Sequence, residues 1–282
     1  MKQTLGSIAS NVEVMSGVYV MWIEAPHVAA AAQPGQFVTV RCKDFTLRRP
    51  FSIHQSSPLT GEDSGEGEIA ILFRVAGKGT FWLSQRQAGE KIDILGPLGK
   101  GFTIRPESKN LLLVAGGIGI APLVLMMQQV SSQHQVTLIQ GAGTAAQLYL
   151  DSRQLTAISH QRAQVVPVTE DGSMGRKGTA TDILSDFLNW ADQVYACGPI
   201  DMYKTMALPL NPSPLKGEGK GEGEKRSNLK LKECQVSLEV RMGCGFGACY
   251  GCTINTRKGL RRVCHDGPVF ELDDIIWQQV KI

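Results

Sequence analysis

The chain has 282 residues, of which 43% are hydrophobic and 20% charged, and a formal net charge of +3 at neutral pH. That length holds two domains and a small third, and the composition is that of a globular protein rather than a disordered or fibrous one. So small a charge, with no dense Lys/Arg stripe, argues against a nucleic-acid surface, and no apolar run reaches the eighteen residues a membrane span needs.

The first hundred residues predict strands. Short β-type runs lie at 12–14, 18–23, 36–40 and 69–75, separated by turn formers such as Pro34-Gly35 and by a Gly/Ser/Glu stretch at 57–68 that reads as an exposed loop. That pattern suggests an antiparallel barrel or sandwich. From residue 110 the rhythm changes. The continuous apolar run 111–115 is that of a strand buried on both faces. A glycine turn follows, then a helix over 121–130 with apolar residues at 123, 124, 126, 127 and 130. Strands at 136–139, 165–168 and 194–197 alternate with helices near 145–157 and 180–190, which argues for a parallel sheet covered on both faces.

Residues 202–207 allow about two helical turns before Pro209 stops them. Residues 209–228 are Pro-, Gly- and charge-rich with almost nothing to bury, so a solvated linker or insertion is expected. A strand at 234–240 then leads into Cys244-Gly245-Phe246-Gly247-Ala248-Cys249-Tyr250-Gly251-Cys252, with eleven residues before Cys264. C-x4-C-x2-C and a distal Cys is the plant-type spacing of a 2Fe–2S cluster. Glycines at 243, 245, 247 and 251 suit a loop that needs φ > 0 positions and N–H groups aimed at sulfur. Structural zinc, for which the first gap fits and the pairing does not, and disulfides are the competing readings. The N-terminus lacks the apolar core of a signal peptide, and Cys42, Cys197 and Cys234 are scattered, so a cytoplasmic protein is expected.

Three other motifs carry chemistry. Gly116-Gly117-Ile118-Gly119-Ile120-Ala121-Pro122 joins a buried strand to a helix, where glycines admit a pyrophosphate and the helix start supplies N–H groups. Its spacing is not G-x-G-x-x-G, and alone it is weak evidence for a nucleotide. Cys197-Gly198-Pro199 ends another buried strand; Cys197 either lines a nicotinamide pocket or is a small buried residue. In Arg49-Pro50-Phe51-Ser52, Arg49 could pair with a phosphate and Ser52 could donate to a ring nitrogen, or the stretch could be an edge strand with solvated arginines. Gly77-Lys78-Gly79-Thr80 reads as a phosphate nest or a turn, and 169–173 as a turn. No Gly-x-Ser-x-Gly occurs, and His54/Asp44 and His265/Asp266 form no triad pattern, so hydrolases are dropped.

Taken in order, Arg49-Pro50-Phe51-Ser52, Gly-x-Gly-x-Ala-Pro and Cys197-Gly198-Pro199 resemble the ferredoxin–NADP reductase superfamily. With the cysteine pattern, and most specifically over 234–277, the chain resembles the branch formed by electron-transfer subunits of class 1B dihydroorotate dehydrogenases. The resemblance implies a flavin-binding β-barrel at 1–103, a nicotinamide-binding α/β domain at 108–208, a flexible insertion at 209–230 and a small 2Fe–2S domain at 231–282. It implies FAD held by Arg49, Pro50, Phe51, Ser52, Leu72, Phe73, Arg74, Gly79 and Thr80. NAD is implied at Gly116, Gly117, Gly119, Cys197, Gly198 and Pro199, and one 2Fe–2S cluster on Cys244, Cys249, Cys252 and Cys264. It further implies a catalytic partner carrying FMN, in a heterotetramer of two of each subunit, that oxidises dihydroorotate in pyrimidine synthesis. A related FAD/2Fe–2S reductase subunit serving ferredoxin or a sulfur- or hydrogen-metabolising complex is the alternative. Relatives often carry Arg at the position of Gly143, and the lack of basic residues there favours NAD over NADP.

Overall fold

The computed structural model describes residues 1–43, 45–57, 67–149, 163–208 and 233–280. The expected loop at 57–68 and insertion at 209–230 lie largely outside these, as does most of the helix expected at 145–157.

Six strands build the N-terminal unit: β1 (Lys2–Met15), β2 (Val18–Glu24), β3 (Phe37–Val40), β4 (Arg49–Ser57), β5 (Glu68–Arg74) and β6 (Lys91–Leu98). Helix α1 (Pro26–Ala31) follows β2, and α2 (Lys78–Ser84) follows β5. Strict alternation of buried and accessible side chains along β6 gives it one core face. β1 runs far beyond the expected 12–14. Its start pairs with β6, from Lys2↔Gly96 to Ser7↔Lys91, and its remainder with β2, from Ile8↔Ile23 to Met15↔Val18. A strand shared in this way curls the sheet, and the order β1-β2-β5-β4-β3-β6 closes into an antiparallel barrel. Closure leaves no unpaired edge.

The second unit opens with β7 (Asn110–Gly116), a 3₁₀ turn at Gly117–Ile120 and α3 (Ala121–Val130). It continues through β8 (Gln135–Ala142), β9 (Ala163–Thr169), the short β10 (Arg176–Lys177), β11 (Gln193–Cys197) and α4 (Ile200–Ala207). The strands are parallel, with β7 central between β8 and β11. Eight of ten α3 residues are buried because the helix is sandwiched. Leu125 joins the barrel core while Leu123, Val124, Met126 and Met127 join the core beneath the sheet. His54 of β4 seals the seam. It is fully buried, with Nδ1 3.0 Å from the Ala121 carbonyl and Nε2 2.8 Å from the Tyr149 hydroxyl.

The helix expected at 180–190 does not form. Asp182 takes the Thr179 N–H at 2.6 Å and its hydroxyl at 2.9 Å, and this side-chain turn leaves only a 3₁₀ turn at Leu184–Asp186. At 145–157 the described part is a 3₁₀ turn, Ala145–Gln147.

The C-terminal segment begins with β12 (Cys234–Ser237), adds the hairpin β13 (Thr253–Thr256) and β14 (Gly259–Arg262), then a single turn α5 (Val263–Asp266), and ends with β15 (Val269–Glu271). β12 extends the parallel sheet beside β11, and β15 runs antiparallel on its outer side. The order is β10-β9-β8-β7-β11-β12-β15. Cys252, Ile254, Val263, Cys264 and Trp277 share one core with Leu112, Val114, Val194 and Tyr203 of the sheet and α4. The cysteine-bearing segment therefore leans on the core of its neighbour. Among the described residues no helix is long and apolar enough to cross a membrane.

Candidate functional site

Two cavities meet at the carboxyl end of the parallel sheet. The first, of about 590 Å³, opens between β4 of the barrel and the segment leaving β12. Arg49, Pro50, Phe51 and Ser52 line it, facing Cys197, Glu239, Arg241 and Met242. Its size and mostly apolar wall with a few polar groups suit a flavin ring system. Arg48 lies in the same wall but is engaged with Asp93 at 2.6 Å. Arg49 keeps most of its donors: its Nη1 donates to the Leu47 carbonyl at 2.7 Å, and the guanidinium lies over the Phe45 ring. Its Nε would stand 3.2 Å from a Cβ on Gly79, so the start of α2 and Arg49 face the same space. Thr80 is placed there too, but its hydroxyl is already used, accepting the N–H groups of Ala76 at 2.9 Å and Gly77 at 3.1 Å.

Leu72 and Phe73, expected beside the flavin, bury their side chains instead. Leu72 joins the core under the sheet, and Phe73 stacks on Tyr19 at 5.7 Å within the barrel. Arg74 lines the second cavity rather than the first.

That second cavity, of about 680 Å³, is bounded by Gly116, Gly117 and Gly119, by Cys197, Gly198 and Pro199, and by Gly143, Glu170 and Asp182. The two turns touch so closely that a Cβ on Gly119 would lie 2.2 Å from the Cys197 carbonyl oxygen. One on Gly116 would lie 2.6 Å from Pro199 Cδ. The glycines are thus needed for the packing of strand ends as well as for access to backbone N–H groups. Among the described residues, Arg74 is the only basic side chain in the lining.

Cys197 and Glu239 line both cavities. Burial, and after it the charge of Glu239, pushes the Cys197 thiol up to about 12, so it stays protonated. The Glu239 carboxyl is raised by the protein packed around it. Sequence reasoning passed over Glu239 as one residue of an expected strand. The signal available was a carboxylate at the end of a strand next to the Cys197 turn, where parallel sheets bind ligands.

The cysteine loop lies beyond Met242. Gly245 and Gly247 adopt φ of +80° and +92°, which folds the loop back on itself. A Cβ on Gly245 would come within 2.7 Å of Thr39 Cγ2, so this turn sits directly on the barrel. The thiols form two pairs. Cys252 and Cys264 lie 3.2 Å apart and buried. Cys244 accepts N–H groups from Ala248 at 3.2 Å and Cys249 at 3.4 Å, while Cys249 accepts those of Cys244 and Gly251 at 3.4 Å. Partial burial raises the Cys244 thiol, but these donors outweigh it and bring it down to about 6. Burial and the neighbouring Cys252 push Cys264 up to about 12. Among the described residues no three His, Cys, Asp or Glu side chains gather as one metal ion requires. Two thiol pairs, with N–H groups directed at sulfur, fit two irons better than one zinc.

Comparison with known proteins agrees with this geometry. Residues 239–276 match the iron–sulfur cluster binding domain of dihydroorotate dehydrogenase B, and residues 113–207 match the oxidoreductase NAD-binding domain. The dihydroorotate dehydrogenase B (NAD⁺) electron-transfer subunit of Desulforamulus reducens is 37% identical over 275 residues, covering 94% of this chain and 95% of its own. The chain belongs to this family of electron-transfer subunits. Its counterpart in Caldanaerobacter subterraneus subsp. tengcongensis is 36% identical over 282 residues, covering 96% and 97%. Among solved structures, the NADH-dependent reduced ferredoxin–NADP oxidoreductase superposes with a TM-score of 0.78 at 28% identity, over 98% of this chain and 91% of that one. A ferredoxin–NADP⁺ reductase from Neisseria gonorrhoeae, with bound FAD and NADP, shares the fold with a TM-score of 0.59 at 20% identity, over 73% and 89%. As a member of the electron-transfer subunits, the chain is an NAD-linked oxidoreductase subunit that uses FAD and a 2Fe–2S cluster.

Proposed function

We propose that the chain takes electrons from an FMN-carrying catalytic subunit, where dihydroorotate becomes orotate, and delivers them as hydride to NAD⁺ in pyrimidine synthesis. One observation carries the reading: the Cys197–Glu239 wall is common to both cavities, and the strand exit that supplies Glu239 runs on through Met242 into the cysteine loop. When bound, FAD and the cluster supply a carrier that trades single electrons for a hydride and a one-electron relay.

The chain's own residues then take these roles. Arg49 offers a fork of donors to the FAD diphosphate, with backbone N–H groups at Gly79 and Thr80 beside it. Ser52 and Phe51 border the ring, and Pro50 fixes the strand between them and Arg49. Gly116, Gly117 and Gly119 bring backbone to the NAD diphosphate, with Arg74 in the same lining, and Gly198 and Pro199 close the nicotinamide end. Cys197 remains a neutral thiol against the nicotinamide. Cys244 with Cys249, and Cys252 with Cys264, hold one iron each. We divide the chain into a flavin unit, a nucleotide unit and a cluster segment that completes the nucleotide sheet. The exposed Phe246, Cys249 and Tyr250 at the rim of the cysteine loop face the partner, in an assembly of two of each subunit. The three cysteines outside the cluster, Cys42, Cys197 and Cys234, are buried and unbridged, which suits the reducing cytoplasm.

Anaerobically purified protein should be red-brown, contain FAD and oxidise NADH with a dye as acceptor. A colourless protein that binds only zinc would sink the proposal. The likeness to the ferredoxin–NADP oxidoreductase favours one second reading, a reductase subunit serving ferredoxin. Co-purification decides between them: an FMN protein that oxidises dihydroorotate supports the first, and a ferredoxin-linked complex the second.

A further inference from the structure

We infer that Tyr203 is a positioning residue that holds Cys197 and Glu239 in register across the wall between the two cavities; the inference rests on the reading of those cavities given above. The backbone ladder between β11 and β12 runs from Val194↔Cys234 to Ala196↔Val236 and stops there. Cys197, one residue further on β11, and Glu239, three residues past Val236 on the segment leaving β12, lie beyond its last rung.

The Tyr203 hydroxyl takes over where the ladder ends. From α4 it accepts the Gly198 N–H at 2.8 Å and donates to the Ser237 carbonyl at 2.6 Å. One oxygen thus ties the residue after Cys197 to the residue two before Glu239. The Cys197 thiol points at the same Ser237 carbonyl, 3.7 Å away. The clamp is dry, since Tyr203 is 1% exposed. Burial, and then the neighbouring Cys197 thiol, push its phenol well above the usual range, so the hydroxyl keeps its proton and can serve as donor and acceptor together.

The ring of Tyr203 has a separate task. It packs against Trp277 with centroids 5.4 Å apart, in the core that joins the nucleotide sheet to the cysteine-bearing segment. A phenylalanine would perform that packing equally well. The hydroxyl is what the core does not need and the cavity wall does. Without it, Gly198 N–H and Ser237 C=O lose their shared partner, and the longer Cys197 thiol contact at 3.7 Å is left to join strand ends that can then shift by fractions of an ångström. Hydride transfer is sensitive to displacements of that size, because donor and acceptor atoms must meet near contact distance.

The test uses the FAD- and cluster-loaded protein carrying Tyr203→Phe, with Trp277→Phe as the packing control. With NADH and its 4-deuterated forms, Y203F is expected to lower kcat about tenfold, to leave KM within about twofold and to enlarge the primary isotope effect. FAD content and cluster absorbance should match wild type. W277F should lower the melting temperature and leave the isotope effect alone. A Y203F protein with wild-type kcat and isotope effect, or one whose activity falls only in step with lost FAD, overturns the inference. Should Y203F fail to fold, amide exchange on wild type decides: Gly198 is expected to exchange about a hundredfold more slowly than an open loop amide, and an unprotected Gly198 overturns the clamp. A wild-type protein unable to oxidise NADH would overturn the reading of the cavities beneath, a different failure from a silent Y203F.

Discussion

The two cavities are made of different material. The cavity proposed for the flavin is lined by side chains of a barrel strand, Arg49, Phe51 and Ser52 of β4. The cavity proposed for the nicotinamide is built mainly from backbone, two glycine turns pressed against each other at strand ends. A site made of side chains loses function one group at a time and keeps its shape. A site made of backbone is indifferent to many substitutions and intolerant of one added carbon.

The largest effect should therefore come from the smallest change. Gly119→Ala sets a methyl 2.2 Å from the Cys197 carbonyl, so the two turns must separate. NADH oxidation should fall by more than about a hundredfold while FAD stays bound, since a 1 Å misplacement alone can cost that much. Full activity in Gly119→Ala would show that the turns yield easily, and the contrast would collapse. On the side-chain cavity, Arg49→Gln should weaken FAD about thirtyfold, the value of one charge-assisted contact, as read by released flavin fluorescence. Unfolding midpoints should barely move.

The seam between the two units gives the third expectation. Burial lowers His54 to about 4, partly offset by its bond to the Ala121 carbonyl. In the unfolded chain it titrates near 6.5, so between those values the unfolded state binds the extra proton. Stability is then complete above about pH 6.5 and drains away as pH falls toward 4, by about 2 kcal/mol between pH 7 and pH 5. Urea midpoints across that range would check it, and a flat profile would mean that His54 charges freely in the folded protein. The smallest effect on the nucleotide side belongs to Cys249→Ser. It should bleach the cluster's visible absorbance and leave NADH-to-dye turnover within about threefold. If dye reduction collapsed in a folded protein, the order of the two redox groups would be wrong.

The same contrast explains what was legible in the residues. Strands β2, β5, β7, β8 and β11 announce themselves by alternation or by continuous apolar runs, and the four cysteines by spacing. The opening half of β1 hides because Gly6 and Ser7 carry no β signal and its register comes from β6. α2 reads as a turn because Gly77 and Gly79 open it, yet Thr80 closes its first turn with a capping hydroxyl. The helix expected at 180–190 had apolar periodicity in its favour and lost to Asp182, whose bonds to Thr179 are local and strong. Site residues fared by material. Arg49 to Ser52 and the glycine turns line the two cavities, whereas Leu72 and Phe73 needed their facing in the barrel to be known, and Glu239 needed the adjacency of β11 and β12.

The shared core beneath the cysteine loop has a consequence for moving this part of the protein elsewhere. Residues 239–276 match a domain model, but the strand that seats them begins at Cys234, Trp277 packs on Tyr203 of α4, and Val263 and Trp277 share their core with the parallel sheet. Excised at the model's borders, the segment would carry its iron ligands without the apolar walls that give them a fixed spacing. Transplanting the relay into another flavoprotein would thus require taking β11, α4 and β12 along with it. The portable unit is the sheet edge together with the loop.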